Sequence, residues 1–551
     1  MNTVSNTRLQ VMWNRLLSVV EEQGQALIRA AFSPIVRECG DISAGIFDVK
    51  GRMIAQAVTG TPGHINTMAE AVMTLRKHFP IGSMRPGDIY LTNDPWIASG
   101  HLNDFLLLMP VFYQDSVIGF TSCTSHLVDL GGQGMGPEGS DVFDEGLRIP
   151  LCKLLDKGEI NQLLLEIVKA NSREPIANEG DIYALIACCE SGAKRLVEMM
   201  DEFGIVDLDT LSNYIIDTSR RGTYDAISDV PKGVWTSTLR VDGYEKEIEL
   251  KAKLTVDENS MVLDFAGTSD CSQKGINVPL NYATAYSVFA LRCIIGPDIP
   301  NNAGSLEPFI VKAPKGCILN AQPPSPVAMR HTLGQMTPDL VYGCLHQALP
   351  GKVPAEGASC MYDLPMRSAP EVAQRGGTVF ALEPAHNGGT GARPTKDGLS
   401  ATAFPSGVWG SQVEITEASV PVIIRSRELR RDSGGAGTFR GGLGQRIELQ
   451  SSNDQPFGVF LSVERIKHPA MGRDGGLPGA PGRVRLDGGT DLPGKGEVRV
   501  APNQTLIFET PGGGGYGPPD KRGPDAIASD IAEDFVSFEV ARDVYGWEED
   551  K

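Results

Sequence analysis

The chain has 551 residues, 41% of them hydrophobic, and a formal net charge of −18; the length predicts several domains, and the negative charge argues against nucleic-acid binding, which needs a basic surface. No apolar run approaches the ~18 residues of a membrane span, and the N-terminus lacks an apolar signal region. Ten cysteines without a CxxC pair indicate neither a disulfide framework nor a zinc knuckle, so we expect a reduced, cytoplasmic protein.

Helical and strand patterns alternate through the N-terminal region. Apolar residues that recur every three or four positions predict amphipathic helices, and the predicted helices are 7–30, a helix capped by Asn66, 159–171, 180–204 and 208–226. The predicted strands are the two arms of a hairpin over 44–55, which turns at Lys50-Gly51, and a segment over 88–92.

A longer hairpin is predicted at the centre of this region. Two apolar runs, 105–112 and 117–125, flank a polar four-residue turn signal. Folded about that turn, the chain returns so that His126 lies almost opposite Asp104, with side chains roughly 5 Å apart at Cβ if they share a face. His101 comes just before the first strand and can reach the same point.

Two imidazoles and one carboxylate around an open position are typical of a catalytic metal site rather than a structural one. The chain has only eight histidines, so two in one short segment are informative. The spacing matches no standard zinc motif, and the alternative is that His101 and His126 are hydrogen-bonded at strand ends. Asp41 is either a fourth ligand or a cap at the entry to the first hairpin, and His64 either faces the site or lies in a surface loop.

From about residue 230 the chain becomes β-rich and then glycine-dense. Helices are still expected over 281–295 and 336–348, and residues 431–520 hold 21 of the 63 glycines. We predict a multidomain α+β fold with four parts: a mixed α/β metal-binding region (1–229), a mixed β-rich domain (230–425), a Gly-rich β region (426–519) and an acidic tail (520–551). Ile527, Ile531, Phe535 and Phe538 predict an amphipathic tail helix docked on a neighbour.

Three C-terminal motifs could bind anions. The segment 489–496 resembles a P-loop, but Gly496 replaces the hydroxyl residue that would hold magnesium and a strand pattern follows, so a β-turn accounts for it better. The run 510–517 could form an anion-binding nest or a flexible or tightly turned loop. Arg430 and Arg440, each beside glycines, suit phosphate or carboxylate recognition, although a solvated loop would look the same.

Short motifs along the chain occur in the order found in one protein family. They include Glu38-Cys-Gly-Asp-Ile-Ser43, Gly63-His64, Asn93-Asp-Pro95, His101-Leu-Asn-Asp104, Ser125-His126, Asn301-Asn302-Ala-Gly304, Arg431-Asp-Ser-Gly-Gly435 and Gly512 to Gly517. In this respect the chain resembles the hydantoinase B/oxoprolinase family over nearly its whole length. That family includes subunits of ATP-dependent hydantoinases and caprolactamase, one half of 5-oxoprolinase, and a subunit of the acetone and acetophenone carboxylases.

The resemblance implies a division of labour between two subunits. In the relatives this polypeptide carries the metal site, and a hydantoinase A-type partner of the actin-like ATPase fold activates the substrate with ATP and Mg²⁺. The family's metal ligands fall on His101, Asp104 and His126, with Asp41 as a further ligand, for Zn²⁺ or Mn²⁺. A hetero-oligomer with two or more copies of each subunit is expected.

The leading hypothesis from the resemblance is ATP-dependent opening of a cyclic amide such as a hydantoin, a lactam or a 5-oxoproline-like ring. Asp94 or Asp129, close in sequence to the triad, is expected to orient ligands or to act as a base. An alternative within the family is ketone carboxylation with bicarbonate, whose subunits tend to be longer than this chain. A third hypothesis, from another class, is a non-catalytic scaffold, against which the intact set of ligands argues.

Overall fold

The computed structural model describes residues 5–58, 60–377, 379–489 and 491–548. Helices and sheets are mixed throughout this part of the chain, and the predicted α+β class is confirmed. Among the described helices, none combines the length and the apolar character that crossing a bilayer requires.

A seven-stranded antiparallel sheet organises the N-terminal region. Its strands are β1 (Ile42–Asp48), β2 (Met53–Gln56), β3 (Ile89–Thr92), β4 (Asp104–Tyr113), β5 (Ser116–His126), β6 (Cys152–Asp156) and β7 (Glu159–Ile160), in the order β2-β1-β5-β4-β3-β6-β7. The predicted central hairpin is β4 and β5, and its register pairs Asp104 with His126. Because side chains alternate along a strand, Phe105 packs into the core on one face of the sheet and Leu106 into the core on the other.

Helices cover both faces of this sheet. They are α1 (Asn6–Ala30), α2 (Pro34–Arg37), α3 (Pro62–His78), α4 (Val142–Glu145), α5 (Gln162–Asn171), α6 (Pro175–Phe203) and α7 (Asp209–Ser228). Helices α1 and α6 pack together over one face, and α3 packs on the other. The expected N-cap at Asn66 is wrong: α3 begins at Pro62, whose fixed φ suits a first turn, and the Asn66 side chain donates to the carbonyl of Ala285.

A second, four-stranded sheet follows. It contains β8 (Gly233–Val241), β9 (Ile248–Val256), β10 (Met261–Asp264) and β11 (Phe309–Lys312), in the order β11-β10-β9-β8. The accompanying helices are α8 (Leu280–Ile294), α9 (Ala303–Leu306), α10 (His331–Gly334) and α11 (Thr337–Ala348). Helix α11 packs on β8 and β9, and α8 packs between α11 and α3, so the two regions share a helical layer.

The last sheets share one apolar core that runs from Tyr362 to Phe508 and so crosses the boundary expected near residue 425. Their elements are β12 (Tyr362–Asp363), β13 (Met366–Ser368), α12 (Pro370–Gln374), β14 (Ala381–Leu382), β15 (Ala385–His386), α13 (Val413–Ser419), β16 (Val422–Leu429), β17 (Gln445–Ser451), β18 (Phe457–Ser462), β19 (Arg483–Leu486), β20 (Lys495–Val500) and β21 (Leu506–Glu509). Strands β12 and β15 form a two-stranded sheet, and the other strands form two four-stranded sheets in the orders β14-β13-β18-β20 and β16-β17-β21-β19.

Glycine-rich segments pack against one another by backbone contact. The N–H groups of Gly512, Gly513 and Gly514 donate to carbonyls of three different segments, at Ala480 (3.1 Å), Gly442 (3.0 Å) and Glu356 (2.8 Å). Successive amides therefore point to different neighbours, and a side chain on any of them would meet a backbone. The hypothesis of an anion-binding nest over 510–517 is not supported, because these amides already have carbonyl partners.

The tail forms two short helices, α14 (Pro524–Ala532) and α15 (Phe538–Tyr545), where one was predicted. Between them Asp534 adopts a positive φ of 56°, and Ser537 caps the second helix. Ile527 packs against Ala436 of the glycine-rich region, whereas Phe538 is 42% exposed. The tail thus docks on the chain, as predicted. The prediction of one continuous apolar stripe from Ile527 to Phe538 is wrong.

The cations beside the glycines have partners within the chain. Arg440 Nε lies 3.3 Å from Asp530 of the tail, and Arg430 donates to the carbonyl of Pro481. Lys495 of the P-loop-like segment begins a strand, and its Nζ lies buried 2.9 Å from Glu464 Oε1. These side chains connect separate parts of the fold. The buried position of Lys495 agrees with the prediction that this segment is not a P-loop.

Candidate metal centre

Three side chains from the central hairpin meet at one buried point. Asp104 begins β4, His126 ends β5, and His101 lies in the turn before β4. His101 Nε2 is 2.8 Å and His126 Nδ1 is 3.4 Å from Asp104 Oδ1. One ligand atom from each of the three lies within 4.8 Å of the others, as a shared metal ion requires.

The turn that places His101 depends on Gly100. Its φ is +90°, a conformation that glycine adopts without strain, and a Cβ there would lie 2.7 Å from Cδ of Arg330. Both the backbone conformation and the close approach of Arg330 therefore require a glycine directly before His101.

In each imidazole one ring nitrogen faces Asp104, and the other ring nitrogen, which points away from Asp104, contacts a different residue. His101 Nδ1 lies 3.2 Å from the carbonyl oxygen of Ala328, and His126 Nε2 contacts the carboxylate of Glu383. Such outer contacts fix the orientation of metal-binding histidines in proteins. His101 Nε2 and Asp104 Oδ1 are close but do not meet hydrogen-bond geometry, and both are buried. This donor set suits a divalent cation such as Zn²⁺ or Mn²⁺.

The second oxygen of Asp104 is held from the opposite side. Arg330 Nη2 lies 2.6 Å and His64 Nε2 3.1 Å from Asp104 Oδ2. His64 Nδ1 in turn lies 3.5 Å from Asp41, which also accepts a hydrogen bond from Thr61 at 2.8 Å. His64 therefore faces the site and lies between Asp104 and Asp41. Asp41 does not belong to the group formed by His101, Asp104 and His126.

The protonation states favour ligand binding at His101 and Asp104. Burial and the nearby Arg330 lower the pKa of His101 to about 4, which leaves the imidazole neutral. Burial opposes ionisation of Asp104, but His101, His64 and Arg330 outweigh it and hold the pKa of Asp104 well below its usual range. Burial also lowers the pKa of His126, but Glu383 and Asp104 outweigh burial and raise it well above the ordinary value. A metal ion at Nδ1 would therefore displace a proton from His126.

The triad lines a small cavity with a volume of about 20 Å³, enough for about one water molecule. Its other wall comes from β12 and the residues before β15, which bring Asp363 and Glu383 over the hairpin. Sequence reasoning missed these two carboxylates, together with Arg330 and His331 on the cavity wall, because no local spacing links them to the hairpin.

Asp94 and Asp129 do not reach this cavity. Asp94 pairs with Arg148 and accepts the N–H of Trp96 at 3.0 Å. Asp129 Oδ1 lies 2.6 Å from Arg173 Nη1. Each carboxylate is thus held in an ion pair outside the lining of the cavity that the triad faces, and neither has the position expected of a base.

Comparison with known proteins identifies the family of the chain. The family model described as hydantoinase B/oxoprolinase matches residues 5–519. The chain belongs to this family. It is 29% identical to a putative D-/L-hydantoinase subunit of Pseudomonas sp. (strain NS671), over 98% of this chain and 94% of the relative.

Two solved structures share the fold of this hydantoinase B/oxoprolinase family member. The crystal structure of ATP-dependent caprolactamase from Pseudomonas jessenii superposes with a TM-score of 0.91 at 26% identity and covers 100% of this chain and 98% of that chain. A nucleotide-free structure of acetone carboxylase gives a TM-score of 0.85 at 20% identity, over 98% of this chain and 80% of that chain.

Replacing Glu383 with glutamine should weaken metal binding. The carboxylate of Glu383 contacts His126 Nε2, and the loss of such an outer partner typically costs roughly 10- to 100-fold in metal affinity. Titration of the purified chain with Zn²⁺ or Co²⁺ measures the change.

Glu174→Gln is a matched control for Glu383→Gln. The Glu174 carboxylate accepts the N–H of Ala381 at 3.1 Å, so it supports the same segment without contacting a proposed ligand. Equal metal affinity in the wild type and Glu383→Gln would show that His126 does not depend on this contact.

Glu145 supports the wall behind His101 and should make stability pH-dependent. Its buried Oε1 accepts the N–H groups of Val327 (2.5 Å) and Ala328 (2.8 Å), and burial raises the pKa of Glu145 to about 8. The folded chain therefore keeps a proton that the unfolded chain releases at the ordinary carboxyl pKa. This contribution to stability is complete below that ordinary pKa and is lost as the pH rises through about 8.

The glutamine of the Glu145→Gln variant does not titrate, so the variant does not lose this contribution as the pH rises. The Tm of the variant minus the Tm of the wild type should therefore increase between about pH 5 and about pH 9. Thermal unfolding of both proteins across this range measures the difference. A difference in Tm that stays constant with pH would contradict the assigned protonation of Glu145.

Proposed function

We propose that this chain is the metal-carrying subunit of an ATP-dependent amidohydrolase that opens a cyclic amide: a hydantoin, a lactam or a 5-oxoproline-like ring. The observation that carries the proposal is the convergence of His101, Asp104 and His126 on one buried point in a member of this family. We take these three as the metal ligands and propose Asp41, which lines the same cavity beside His64, as a further ligand.

The chemistry explains why both ATP and a metal ion are needed. A ring amide resists hydrolysis because its nitrogen donates electrons into the carbonyl, and because an amide anion is a poor leaving group. Phosphorylation of the carbonyl oxygen removes that resonance. A divalent ion bound at the triad supplies Lewis-acid polarisation or lowers the pKa of a water molecule.

The residues of this chain prepare the site for that ion. Arg330 and His64 hold one oxygen of Asp104, so that the other oxygen faces the two imidazoles. Burial of the whole group keeps bulk water from competing with weakly held ligands and strengthens each electrostatic contact.

A second polypeptide supplies the ATP chemistry in this proposal. The P-loop-like lysine, Lys495, is tied to Glu464 in the interior and is not free to meet a phosphate. One relative is named as a hydantoinase subunit and another as a caprolactamase beta subunit, and the solved caprolactamase is described as ATP-dependent. We infer a hetero-oligomer in the cytoplasm with an actin-like ATPase that binds ATP and Mg²⁺.

The test combines metal analysis with a substrate panel. The chain is purified alone and with a candidate actin-like ATPase subunit, and its Zn²⁺ and Mn²⁺ contents are measured. The complex is then assayed with lactams, hydantoins and ketones, with ATP and with or without bicarbonate. We expect metal in the chain alone, and ATP-dependent ring opening only in the complex.

Each other outcome has a defined meaning. Consumption of a ketone that depends on bicarbonate would indicate the carboxylase reaction and overturn ring opening. Absence of tightly bound metal from an otherwise active complex would indicate a scaffold. Tight ATP binding by the isolated chain, measured by calorimetry, would contradict the division of labour.

A further inference from the structure

We propose that a second cavity, beside the metal centre, binds a carboxylate that is carried on a short apolar chain. Opening of a cyclic amide forms such a carboxylate, so the assignment of the ligand as the reaction product rests on the proposed function. We call this cavity the Arg292 cleft. Its volume is about 500 Å³, and its walls come from the end of β2, the first turn of α3, the last turn of α8 and the loop 297–301.

The first turn of α3 separates the Arg292 cleft from the metal cavity. Pro62, Ile65 and Asn66 line the cleft, whereas His64 and the preceding Thr61 line the metal cavity. Residues three or four apart share one face of a helix, so this turn presents a different face to each space. The two spaces are therefore neighbours, and the cleft has the volume of a small-molecule site.

Arg292 is the cation of the cleft. It is only 9% exposed, and it donates to the backbone carbonyls of Ile295 and Gly296 through Nη1 and to that of Ile299 through Nη2. Its Nε is buried without a hydrogen-bond partner among the described residues. Arginine has five N–H donors and can hold a carboxylate with two of them in parallel. The three carbonyls thus hold the guanidinium in place and leave Nε and one N–H of Nη2 for a ligand.

No carboxylate in the described part of the chain balances the charge of Arg292. Asp298 lines the same cleft but is exposed, and it forms no ion pair with Arg292. Burial lowers the pKa of Arg292 below its ordinary value, as expected for a cation removed from water without an anion beside it. Burial of an unpaired charge is unfavourable, so a bound anion would stabilise this part of the fold.

The rest of the lining suits a carboxylate with a hydrocarbon chain. Asn301 Nδ2 donates to Gln56 Oε1 at 2.6 Å and to Asn66 Oδ1 at 3.0 Å. Gln56 Nε2 and Asn301 Oδ1 take no part in these bonds and can bind a polar group of the ligand. Ile65 and Phe289 add apolar surface, and a mainly apolar lining with a few polar groups is typical of small-molecule sites.

The test measures binding to the isolated chain by calorimetry. The probes are hexanoate and hexanol, which have the same chain length and differ in charge. We expect hexanoate to bind at one site per chain and hexanol to bind at least about 10-fold more weakly. Arg292→Gln should weaken hexanoate binding by roughly 10- to 100-fold, the usual effect of losing hydrogen bonds to a charged group.

Arg220→Gln is the matched control for Arg292→Gln. Arg220 pairs with Glu307 and Asp217, each at 2.8 Å, and it is not part of the lining of the cleft. The control loses the same charge and should bind hexanoate as the wild type does. Equal affinity of the wild type and Arg292→Gln for hexanoate, or equal affinity of the wild type for hexanoate and hexanol, would overturn the proposal.

A measurement on the wild type locates the site even if Arg292→Gln does not fold. Hexanoate at about ten times its Kd should slow backbone hydrogen exchange across 295–301 by up to about 10-fold, because the bound state must release the ligand before the loop opens. Exchange in β6, which is not part of the cleft, should stay unchanged. Unchanged exchange across 295–301, or protection confined to other segments, would contradict the site.

Failure of this proposal is distinct from failure of the proposed function. Hexanoate binding needs neither the ATPase nor turnover, so a chain that binds hexanoate in a complex that opens no ring keeps the site and loses the proposed function. If the complex opens a ring, the product of that ring should compete with hexanoate. A product that does not compete would overturn its assignment as the ligand of the Arg292 cleft.

Discussion

His126→Ala should remove both bound metal and ring-opening activity. The substitution deletes the ligand that β5 contributes and leaves His101 and Asp104, which are 2.8 Å apart at their closest atoms. The remaining ligands hold a divalent ion far less well than the full set, so the loss of affinity should exceed the roughly 10- to 100-fold that is typical when a residue hydrogen-bonded to a ligand is replaced. Metal analysis of the purified chain and turnover of the complex measure the effect.

The fold should survive His126→Ala. The site lies where the hairpin strands end, and buried residues such as Leu106 and Leu108 supply the local core. ATP consumption by the partner is expected to persist without product, because the nucleotide is bound elsewhere.

His78→Ala and His468→Ala are the controls for the metal centre. His468 contacts Glu247 at 3.0 Å and His78 stacks edge-on against Phe79, so neither lies at the triad. Both variants should keep metal and turnover. Full metal content and full activity in His126→Ala would contradict the assignment of the centre.

Gly513→Ala should unfold the glycine-rich region. A Cβ at this position would lie 1.9 Å from the carbonyl oxygen of Thr390 and 2.3 Å from its carbonyl carbon. The segment cannot move away, because Gly513 donates to Gly442 at 3.0 Å and accepts from Gly435 at 2.8 Å. Overpacking a core side chain typically costs 1–3 kcal/mol, and a clash with backbone on a pinned segment should cost more than about 3 kcal/mol.

Thermal unfolding and the yield of folded chain measure the effect of Gly513→Ala. Gly523→Ala is the matched control, because a Cβ at Gly523 meets nothing within 4 Å and the backbone φ of −63° suits any residue. We expect a Tm close to that of the wild type for the control and a large loss for Gly513→Ala. Equal Tm values would contradict the close packing of these segments.

The local features of the sequence determined much of the N-terminal region. Apolar runs on both sides of a polar turn specify a hairpin, and the period of two along a strand then specifies which residues face each other. The pairing of Asp104 with His126 was predicted on this basis. His101 is three residues from Asp104, so the whole triad lies within one hairpin and its approach.

Helix ends were less predictable from the sequence. Asn66 has the chemistry of a cap, yet Pro62 starts the helix four residues earlier and Asn66 contacts Ala285. In the tail, Ile527 and Phe538 share a helical spacing, but the turn at Asp534 separates them into two helices. In the first case the Asn66 side chain contacts a distant segment, and in the second a local turn divides the predicted helix.

The opposite wall of the centre was decided by tertiary structure alone. Glu383 lies 257 residues from His126, and Asp363 comes from β12, which pairs with the strand that follows Glu383. The packing of the glycine-rich segments also depends on tertiary structure. An exposed loop and a close-packed loop can have the same composition, so the sequence does not distinguish them. Local spacing determines which side chains share a strand face, but only packing of distant segments determines which carboxylates meet them, because such contacts leave no periodic signal in the sequence.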